Sequence, residues 1–459
     1  MTDTMNHTLS LPPQIPGLPI IGCALQTVLS DPRDFLLSQV IKLGPIFQLK
    51  AFHIHYVVMA GPAANQFVNI EGRELFESNT FWSGMMHELE ADNFLIGLDG
   101  EDHRLLRKLF KRDFSKAAIE PHCELIHDLC VDMFADLNLN EEFEVVEPVL
   151  QLTSQMIGCI MSGKIPSQVE LHNFLYYVNE VTNHFNLNRL PAWLLKCRLG
   201  RFRKAKAMTL QFADAVLQEK MTARLTAKGS MHNFVDAVLD VSKQCPHLFS
   251  SGDVRFSAIL PFFAGIDTLG QTLNYALFEL HRSPVILKQL QTEIDTIFSQ
   301  GVPNTDTLKN MDILNRVIME TLRLHPSAFG MVRTAKTDFE FEGKLVKAGQ
   351  DVVILTTASH QMDEYFKDPK KFDIDRFIAP RNEHRKRHVY APFGRGPHTC
   401  LGAGMSESLM ALALGSILYH YEFHALDPNK KYKERINPTP SLGKHFKLSL
   451  KAKRQVEDE

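Results

Sequence analysis

The chain has few cysteines and no long apolar run, and both features narrow the class of protein. Its 459 residues include seven cysteines without close paired spacing, which argues against a disulfide framework and indicates a reducing compartment. No apolar stretch approaches the roughly 20 residues that span a bilayer. The first ten residues are polar and contain neither a signal peptide nor an anchor. The sequence therefore predicts a soluble, cytoplasmic protein without a membrane span.

The chain also lacks a dominant charge. Fifty Lys and Arg residues against 53 Asp and Glu residues give a net charge of -3, which argues against a nucleic-acid binder driven by bulk positive charge. Neither a Rossmann glycine motif nor a clustered-cysteine iron–sulfur pattern is present. Electrons for any redox reaction must therefore come from another protein.

The periodicity of apolar residues predicts a mostly α-helical fold with small β-sheets. Apolar residues recur at helical spacing through most of residues 101–325, while short strand-like runs occur only before and after that block. The predicted strands are Ile46–Leu49, Tyr56–Met59, Phe339–Phe341 and Asp351–Leu355. The hydrophobic share of 44% supports a large core. We expect one domain over residues 1–459, with residues 1–20 as a polar tail and proline-rich segment.

The most informative segment is the glycine-rich loop from Phe393 to Gly402. Gly394, Gly396 and Gly402 permit backbone angles and close approaches that a Cβ atom would prevent. Cys400 directly precedes an apolar helix, whose free amides and dipole favour thiolate over thiol. A lone cysteine usually fills core, but so long a fixed pattern favours a functional thiolate.

The loop's Phe-x-x-Gly-x-x-x-Cys-x-Gly pattern resembles the haem-binding loop of the cytochrome P450 family. The resemblance implies haem b with Cys400 as its proximal ligand and Phe393 packed beside the sulfur. Because further motifs follow in family order, it covers nearly the whole chain. It implies a haem lying between the cysteine loop and a long central helix, and the missing anchor before residues 11–19 suggests a bacterial-type protein.

The predicted central helix, residues 252–282, contains an acid and an alcohol, Asp267 and Thr268. Such residues are often an ordinary N-cap or a solvated pair. The apolar run before them predicts burial instead, where unpaired polar groups are costly. Small Ala264 and Gly265 leave room for a ligand beside the helix. The family resemblance implies that Thr268 and Asp267 deliver protons for dioxygen cleavage.

Two further sets of charged residues match family motifs. Glu320 and Arg323 lie three apart on a predicted helix, and the resemblance adds Arg376 as the third member of a structural lock. His103 and Arg107 lie four apart on another predicted helix. Together with Arg333 and His398, they match the family's donors to the haem propionates. Each of these four could also be an ordinary surface cation.

The family resemblance places a set of mostly apolar residues on the far face of the haem, and their composition predicts a lipophilic substrate, such as a terpenoid, steroid or fatty acid. Plain core is the more common role of such side chains. The predicted substrate contacts are Phe81, Trp82, Phe94, Phe263, Ala264, Phe329, Met331 and Leu442.

Basic clusters precede and follow these motifs. They lie at Arg104, Lys108, Lys111 and Arg112 and at residues 385–387. A solvated face explains most such runs, but docking of an acidic electron carrier is equally consistent with them. The resemblance implies a ferredoxin or flavodoxin with its reductase, supplied by NAD(P)H. A third run, from Arg198 to Lys206, is expected to coat an exposed helix.

The sequence thus predicts a haem-thiolate monooxygenase that uses O2 to oxidise a lipophilic small molecule. One alternative is a haem-thiolate isomerase, dehydratase or peroxygenase, against which the pair of Asp267 and Thr268 argues. A second alternative, from a different class, is a non-catalytic haem- or lipid-binding protein.

Overall fold

The computed structural model describes residues 9–187, 199–226, 232–430, 432–436 and 439–454. Helices make up most of the described chain. The α-helices are α1 Ala24–Leu29, α2 Pro32–Leu43, α3 Gly61–Asn69, α4 Asn79–Glu88, α5 Gly100–Phe110, α6 Cys123–Asp132, α7 Val146–Ile157, α8 Gln168–Val181, α9 Leu199–Leu225, α10 Phe234–Gln244, α11 Ser251–Arg282, α12 Pro284–Phe298, α13 Thr305–Asn310, α14 Asp312–Leu324 and α15 Ala403–His420. Single π-helical turns follow α7 and α8, at Gly158–Ser162 and Thr182–Leu187.

The strands form three small sheets. They are β1 Ile46–Ala51, β2 Ile54–Ala60, β3 Phe76–Glu77, β4 Glu142–Glu144, β5 Met331–Ala335, β6 Phe339–Phe341, β7 Lys344–Val346, β8 Asp351–Leu355, β9 Tyr421–Phe423 and β10 Lys447–Lys453. The largest sheet has the order β1-β2-β8-β5-β3, in which β2 and β8 are parallel and the other pairs antiparallel. Strand β10 pairs with β4 and β9, and β6 pairs with β7.

The long helix α11 crosses the interior and organises the helical core. A capping box begins it, because Ser250 Oγ accepts from the Asp253 amide while the Asp253 carboxylate accepts from the Ser250 amide. Helix α7 packs very closely against α11. A Cβ atom at Gly270 would lie 2.8 Å from Leu150 Cδ2 and 3.1 Å from Thr153 Oγ1, so glycine sets the distance between the two helices.

Helix α15 is buried on almost every side from Ser408 to Leu418, as expected of a helix that is apolar all round. It belongs to the large helical core, whereas two smaller apolar clusters lie on the five-stranded sheet. The sheet carries β5 on one side of the cavity described below, and α11 lies on the other. The helical core and the five-stranded sheet therefore supply different walls of one site.

The predicted fold class is confirmed: the protein is mostly helical with small sheets. Each predicted strand coincides with part or all of an observed strand, and the central helix begins at residue 251 rather than 252. Within the mostly helical block of residues 101–325, one short strand was not predicted: β4 at residues 142–144 pairs with the distant β10. None of the helices in the described ranges is both long and apolar enough to cross a bilayer.

Candidate functional site

The cysteine loop folds back on itself through hydrogen bonds of its own backbone. The Cys400 amide donates to the Phe393 carbonyl at 2.9 Å, and the Thr399 amide donates to the Gly396 carbonyl at 3.1 Å. Gly394 and Gly396 have φ angles of 74° and 83°, in the left-handed region that favours glycine. A Cβ atom on Gly396 would also lie 2.9 Å from the Val68 carbonyl oxygen. The predicted requirement for glycine thus has a concrete cause at these two positions.

The loop presents Cys400 to a cavity of about 260 Å³ between α11, the start of β5 and the N-terminal part of α15. Cys400 is exposed to this cavity and makes no disulfide. The lining combines small, apolar and cationic side chains. Among the predicted residues it includes Ala264, Thr268, Met331, Arg333, Phe393, Gly394, His398 and Cys400.

The surroundings of the Cys400 thiol act on its acidity in opposite directions. Desolvation by the surrounding protein raises the pKa of Cys400, whereas the Gly402 backbone amide and the Arg107 guanidinium lower it. The net shift is upward. The predicted influence of the loop on the thiolate is therefore real but smaller than desolvation, and a bound metal cation would be needed to hold the sulfur deprotonated.

Thr268 and Asp267 are adjacent in sequence but have different surroundings. Thr268 lines the cavity, and its hydroxyl donates to the Ala264 carbonyl at 2.7 Å. Asp267 is absent from the lining; its carboxylate accepts from the Gln271 side-chain amide at 3.1 Å, one turn further along α11. The helix is continuous through Gly265. Only the alcohol is therefore in place at the cavity itself.

Two guanidinium groups lie next to the cavity without a carboxylate partner. Arg333 is 8% exposed and donates to the Val332 carbonyl, and Arg107 is near enough to Cys400 to affect its acidity. No carboxylate in the described part of the chain forms an ion pair with either group. Burial lowers the pKa of Arg333 to about 10, opposed by Asp99. Buried cations of this kind call for an anionic partner.

His103 and His398 stack on each other beside these cations, with ring centroids 3.9 Å apart. Burial, together with the neighbouring charges of His398 and Arg107, lowers the pKa of His103 to about 3. His398 Nε2 lies 3.1 Å from Asp99 Oδ1 and 3.1 Å from Ser78 Oγ. Neutral His103 thus acts as a flat packing partner for His398 rather than as a cation.

Asp99 is a site residue that the sequence analysis missed. Burial alone would raise its pKa, but hydrogen bonds from His398 and from the amides of Ser78 and Asn79 lower it below its ordinary value. Asp99 is the residue just before α5. The sequence signal available for Asp99 was an acid just before a helix, which predicts a helix cap. That prediction would have been wrong, because the Asp99 carboxylate makes no cap hydrogen bond.

The cavity fits a haem by the chemistry of its donors. A thiol lies in one wall, small Ala264 and Thr268 line the opposing helix, and Arg333 and His398 lie at one edge. The unpaired guanidinium groups match the carboxylates of a haem, and the cysteine matches its iron. The residues present therefore accommodate a planar dianionic group with a metal that prefers sulfur.

The predicted substrate residues divide between several places. Ala264 and Met331 line the cysteine cavity, whereas Phe329 and Leu442 line a larger cleft of about 590 Å³ that Cys400 does not reach. The remaining four pack against one another or against Phe256, with ring centroids 4.8–5.6 Å apart. These four are Phe81, Trp82, Phe94 and Phe263. Residues 326–331 separate the two spaces, since neighbouring residues of this segment line different ones.

The three residues assigned to a structural lock meet in the interior, each fully buried. Glu320 accepts from Arg323 Nε at 2.7 Å and from Arg376 Nε at 2.9 Å. A fourth member, Glu383, accepts from Arg376 Nη1 at 3.1 Å; nothing in the sequence signalled it. Arg323 Nη2 also donates to Glu320, at 2.8 Å, and both guanidinium groups donate to backbone carbonyls, including that of His360. This network ties α14 to the segment that precedes the cysteine loop.

Part of the basic surface lies directly beside the cysteine loop. A Cβ atom on Gly402 would lie 3.5 Å from Phe114 Cδ1, and one on Gly404 would lie 3.7 Å from Lys116 Cε. Lys108, Lys111 and Arg112 are exposed in this region, whereas Arg104 is paired with Glu74 and Glu101. Of the third basic run, Arg198 lies outside the described residues, and the rest belongs to α9.

Comparison with known proteins agrees with this geometry. The Cytochrome P450 family profile matches residues 12–448. The abscisic acid 8'-hydroxylase CYP707A1 of Solanum lycopersicum is 25% identical over 88% of this chain and 84% of its own length. Taxane 13-alpha-hydroxylase of Taxus cuspidata is 25% identical over 96% and 93%. The putative cytochrome P450 120 of Synechocystis is 24% identical over 97% of both chains.

Proposed function

This chain belongs to the cytochrome P450 family and is a haem monooxygenase, and we propose that it oxidises a lipophilic small molecule in the cavity at Cys400. The observation that carries the proposal is the placement of the Cys400 thiol, the Thr268 hydroxyl and an apolar wall around one cavity. Haem held by a thiolate supplies the reductive activation of dioxygen and the transfer of one oxygen atom to the substrate.

Several residues of the chain are assigned to holding the haem. Cys400 binds the metal through its sulfur, and Phe393 packs beside it in the same loop. The carboxylates of the haem would be bound by Arg107, Arg333 and His398. His103 supports His398 by stacking on its ring. Gly394, Gly402 and Ala264 contribute by their small size, which keeps the walls of the cavity close to a flat cofactor.

Thr268 holds a proton at the cavity. Its hydroxyl is oriented by the Ala264 carbonyl, and Asp267 lies one residue before it as the nearest acid of the same helix. We assign proton delivery to this pair, with Asp267 resupplying Thr268 after a side-chain rotation or through water. The apolar lining excludes bulk water from the reacting centre.

We propose terpenoids, steroids and fatty acids as the substrate class, because apolar side chains, among them Leu269, Ala328 and Met331, form much of the lining of the Cys400 cavity. Optical titration of the ferric protein with a panel of these compounds tests the proposal. A saturable low-to-high-spin shift with one class would identify it. No shift with any member would contradict the lipophilic assignment and favour a polar or carrier-bound substrate.

Thr268→Ala is expected to uncouple electron consumption from product formation. Without the hydroxyl, the proton relay at the cavity is lost, and general acid catalysis of this kind contributes about 10²–10⁴-fold. Because water can partly replace the hydroxyl, we expect product formed per NAD(P)H consumed to fall by about tenfold. Product and NAD(P)H are quantified together in the reconstituted system.

Thr272→Ala is the matched control for this variant. Thr272 lies one turn further along α11, lines the same cavity and makes the equivalent bond, from its hydroxyl to the Thr268 carbonyl at 2.8 Å. In Thr272→Ala, the product formed per NAD(P)H consumed should stay near the value of the unmodified protein. Equal coupling in both variants would refute the assignment of proton delivery to Thr268.

We propose a ferredoxin or flavodoxin, with an NAD(P)H-dependent reductase, as the electron source. The exposed cations Lys108, Lys111 and Arg112 shortly precede Phe114 and Lys116, which lie close to Gly402 and Gly404, and would attract an acidic carrier. The cytoplasm is the proposed compartment, since the cysteines in the described ranges are free thiols.

Lys111→Glu is expected to slow reduction by an acidic ferredoxin about tenfold at low ionic strength, because electrostatic steering acts mainly on association. The difference should shrink as salt screens the charges. Stopped-flow reduction under carbon monoxide measures both effects. Lys204→Glu, which changes an exposed cation of α9, should leave the rate unchanged. Equal rates for Lys111→Glu and Lys204→Glu would place the docking surface elsewhere.

A further inference from the structure

Two histidines far from the cysteine cavity bring their ring nitrogens together. His127 of α6 and His420 at the end of α15 have Nε2 atoms 3.1 Å apart and ring centroids 4.9 Å apart. A collinear hydrogen bond with that nitrogen separation would put the centroids roughly 5.4 Å apart. The ring axes are therefore inclined to the line between the nitrogens, as they must be when two imidazoles share one ion.

The nitrogen separation also fits the bond lengths of transition metals. Two imidazole nitrogens bound to one Zn²⁺ at about 2.0–2.1 Å lie about 3.3–3.4 Å apart at the tetrahedral angle. The observed 3.1 Å is shorter by roughly 0.2–0.3 Å and corresponds to an N–Zn–N angle of about 100°. Occupation of the site would thus require only a small separation of the two rings.

The other ring nitrogen of His127 is already anchored. Nδ1 lies 3.0 Å from the hydroxyl of Ser416, a residue that is fully buried within α15. When Nδ1–H donates to that hydroxyl, Nε2 carries a lone pair directed toward His420. Ligating histidines usually have such an outer partner, which fixes their tautomer and orientation.

The positive charge beside His420 is balanced by a carboxylate. Arg454, whose backbone amide donates to the His420 carbonyl at 2.7 Å, makes two bonds to Asp295, at 2.6 and 2.8 Å. The form of imidazole that binds metals is the neutral one.

We propose that His127 and His420 form a binding site for a transition-metal dication such as Zn²⁺, which clamps α6 to the C-terminal end of α15. Within the described ranges no third His, Cys, Asp or Glu completes a preformed ligand set. Water fills the remaining positions, and Glu124, one helical turn before His127 on the same face, is a candidate for a third ligand. Imidazole ligands suit Zn²⁺, Cu²⁺ and Ni²⁺ better than Mg²⁺ or Ca²⁺.

Calorimetric titration of the metal-stripped holoprotein with Zn²⁺ tests the site independently of turnover. We expect one binding event that disappears, or weakens at least about tenfold, in both His127→Gln and His420→Gln. Ser416→Ala should weaken binding about 10- to 100-fold, because the outer partner of His127 is lost. Saturating Zn²⁺ should raise Tm by at least about 2 °C in the unmodified protein but not in His127→Gln or His420→Gln.

His424→Gln is the matched control. His424 lies four residues after His420 and contacts Asn140 instead of the pair, so this variant should bind Zn²⁺ like the unmodified protein. An unchanged reduced carbon monoxide spectrum confirms that each variant is folded around its haem. The proposal is overturned if the unmodified protein binds no Zn²⁺, or if both single variants bind it with unchanged affinity.

Discussion

Cys400→Ser is expected to abolish monooxygenase activity and the red-shifted Soret band of the reduced carbon monoxide complex. A serine hydroxyl does not supply the soft, electron-rich anion that a thiolate gives to iron. The neighbouring Arg107 and the Gly402 amide favour an anion at this position only weakly, since desolvation opposes them. We therefore expect product formation below detection, measured with the spectrum on the same preparation.

A second cysteine provides the control for this prediction. Cys159, a partly buried free thiol in the π-helical turn after α7, is outside the cavity lining. Cys159→Ser should keep both the band and the turnover. Retention of the red-shifted band in Cys400→Ser would mean that another cysteine binds the iron, and it would disprove the assignment.

Glu320→Gln is expected to lower the free energy of unfolding by about 3–5 kcal/mol, because it leaves Arg323 and Arg376 buried without their shared carboxylate. Both guanidinium groups are fully buried, so water cannot replace the lost partner. Against a typical total of about 5–15 kcal/mol, this loss is large enough to compromise folding. Urea unfolding and the haem content of the purified protein measure the effect.

Arg316→Gln is the control on the same helix. Arg316 pairs with Asp312 and Asp375, whose side chains are 67% and 66% exposed. Solvent screening limits such pairs to at most about 1 kcal/mol. If Glu320→Gln lowers the free energy of unfolding no more than Arg316→Gln does, the buried network does not hold the fold together.

The elements that carry strong local signals were predictable. The predicted helix of residues 252–282 and the runs Phe339–Phe341 and Asp351–Leu355 coincide closely with an observed helix and two observed strands. Strand β4 was missed because only three residues pair there, and their partner β10 lies some 300 residues away. Short strands of this kind are specified by pairing rather than by their own sequence.

The candidate site was predictable where a motif fixes several residues at short spacing. Phe393 and Cys400 line the cavity together because one tight loop holds them. Asp99 and Glu383 were missed because each acts on a residue far along the chain, His398 and Arg376 respectively. Asp267 and Thr268 are adjacent in sequence, but consecutive helical residues point about 100° apart. For this reason only Thr268 lines the cavity.

By itself the sequence determined the helical class, the glycine-built cysteine loop and the family, because periodicity and close-range motifs are local properties of the chain. Only the tertiary structure decided which residues meet across long separations. It placed Phe329 and Leu442 in a cleft apart from Cys400, left Arg333 buried without a carboxylate partner among the described residues, and joined His127 to His420. Such contacts depend on how whole elements pack, and no local pattern encodes that packing.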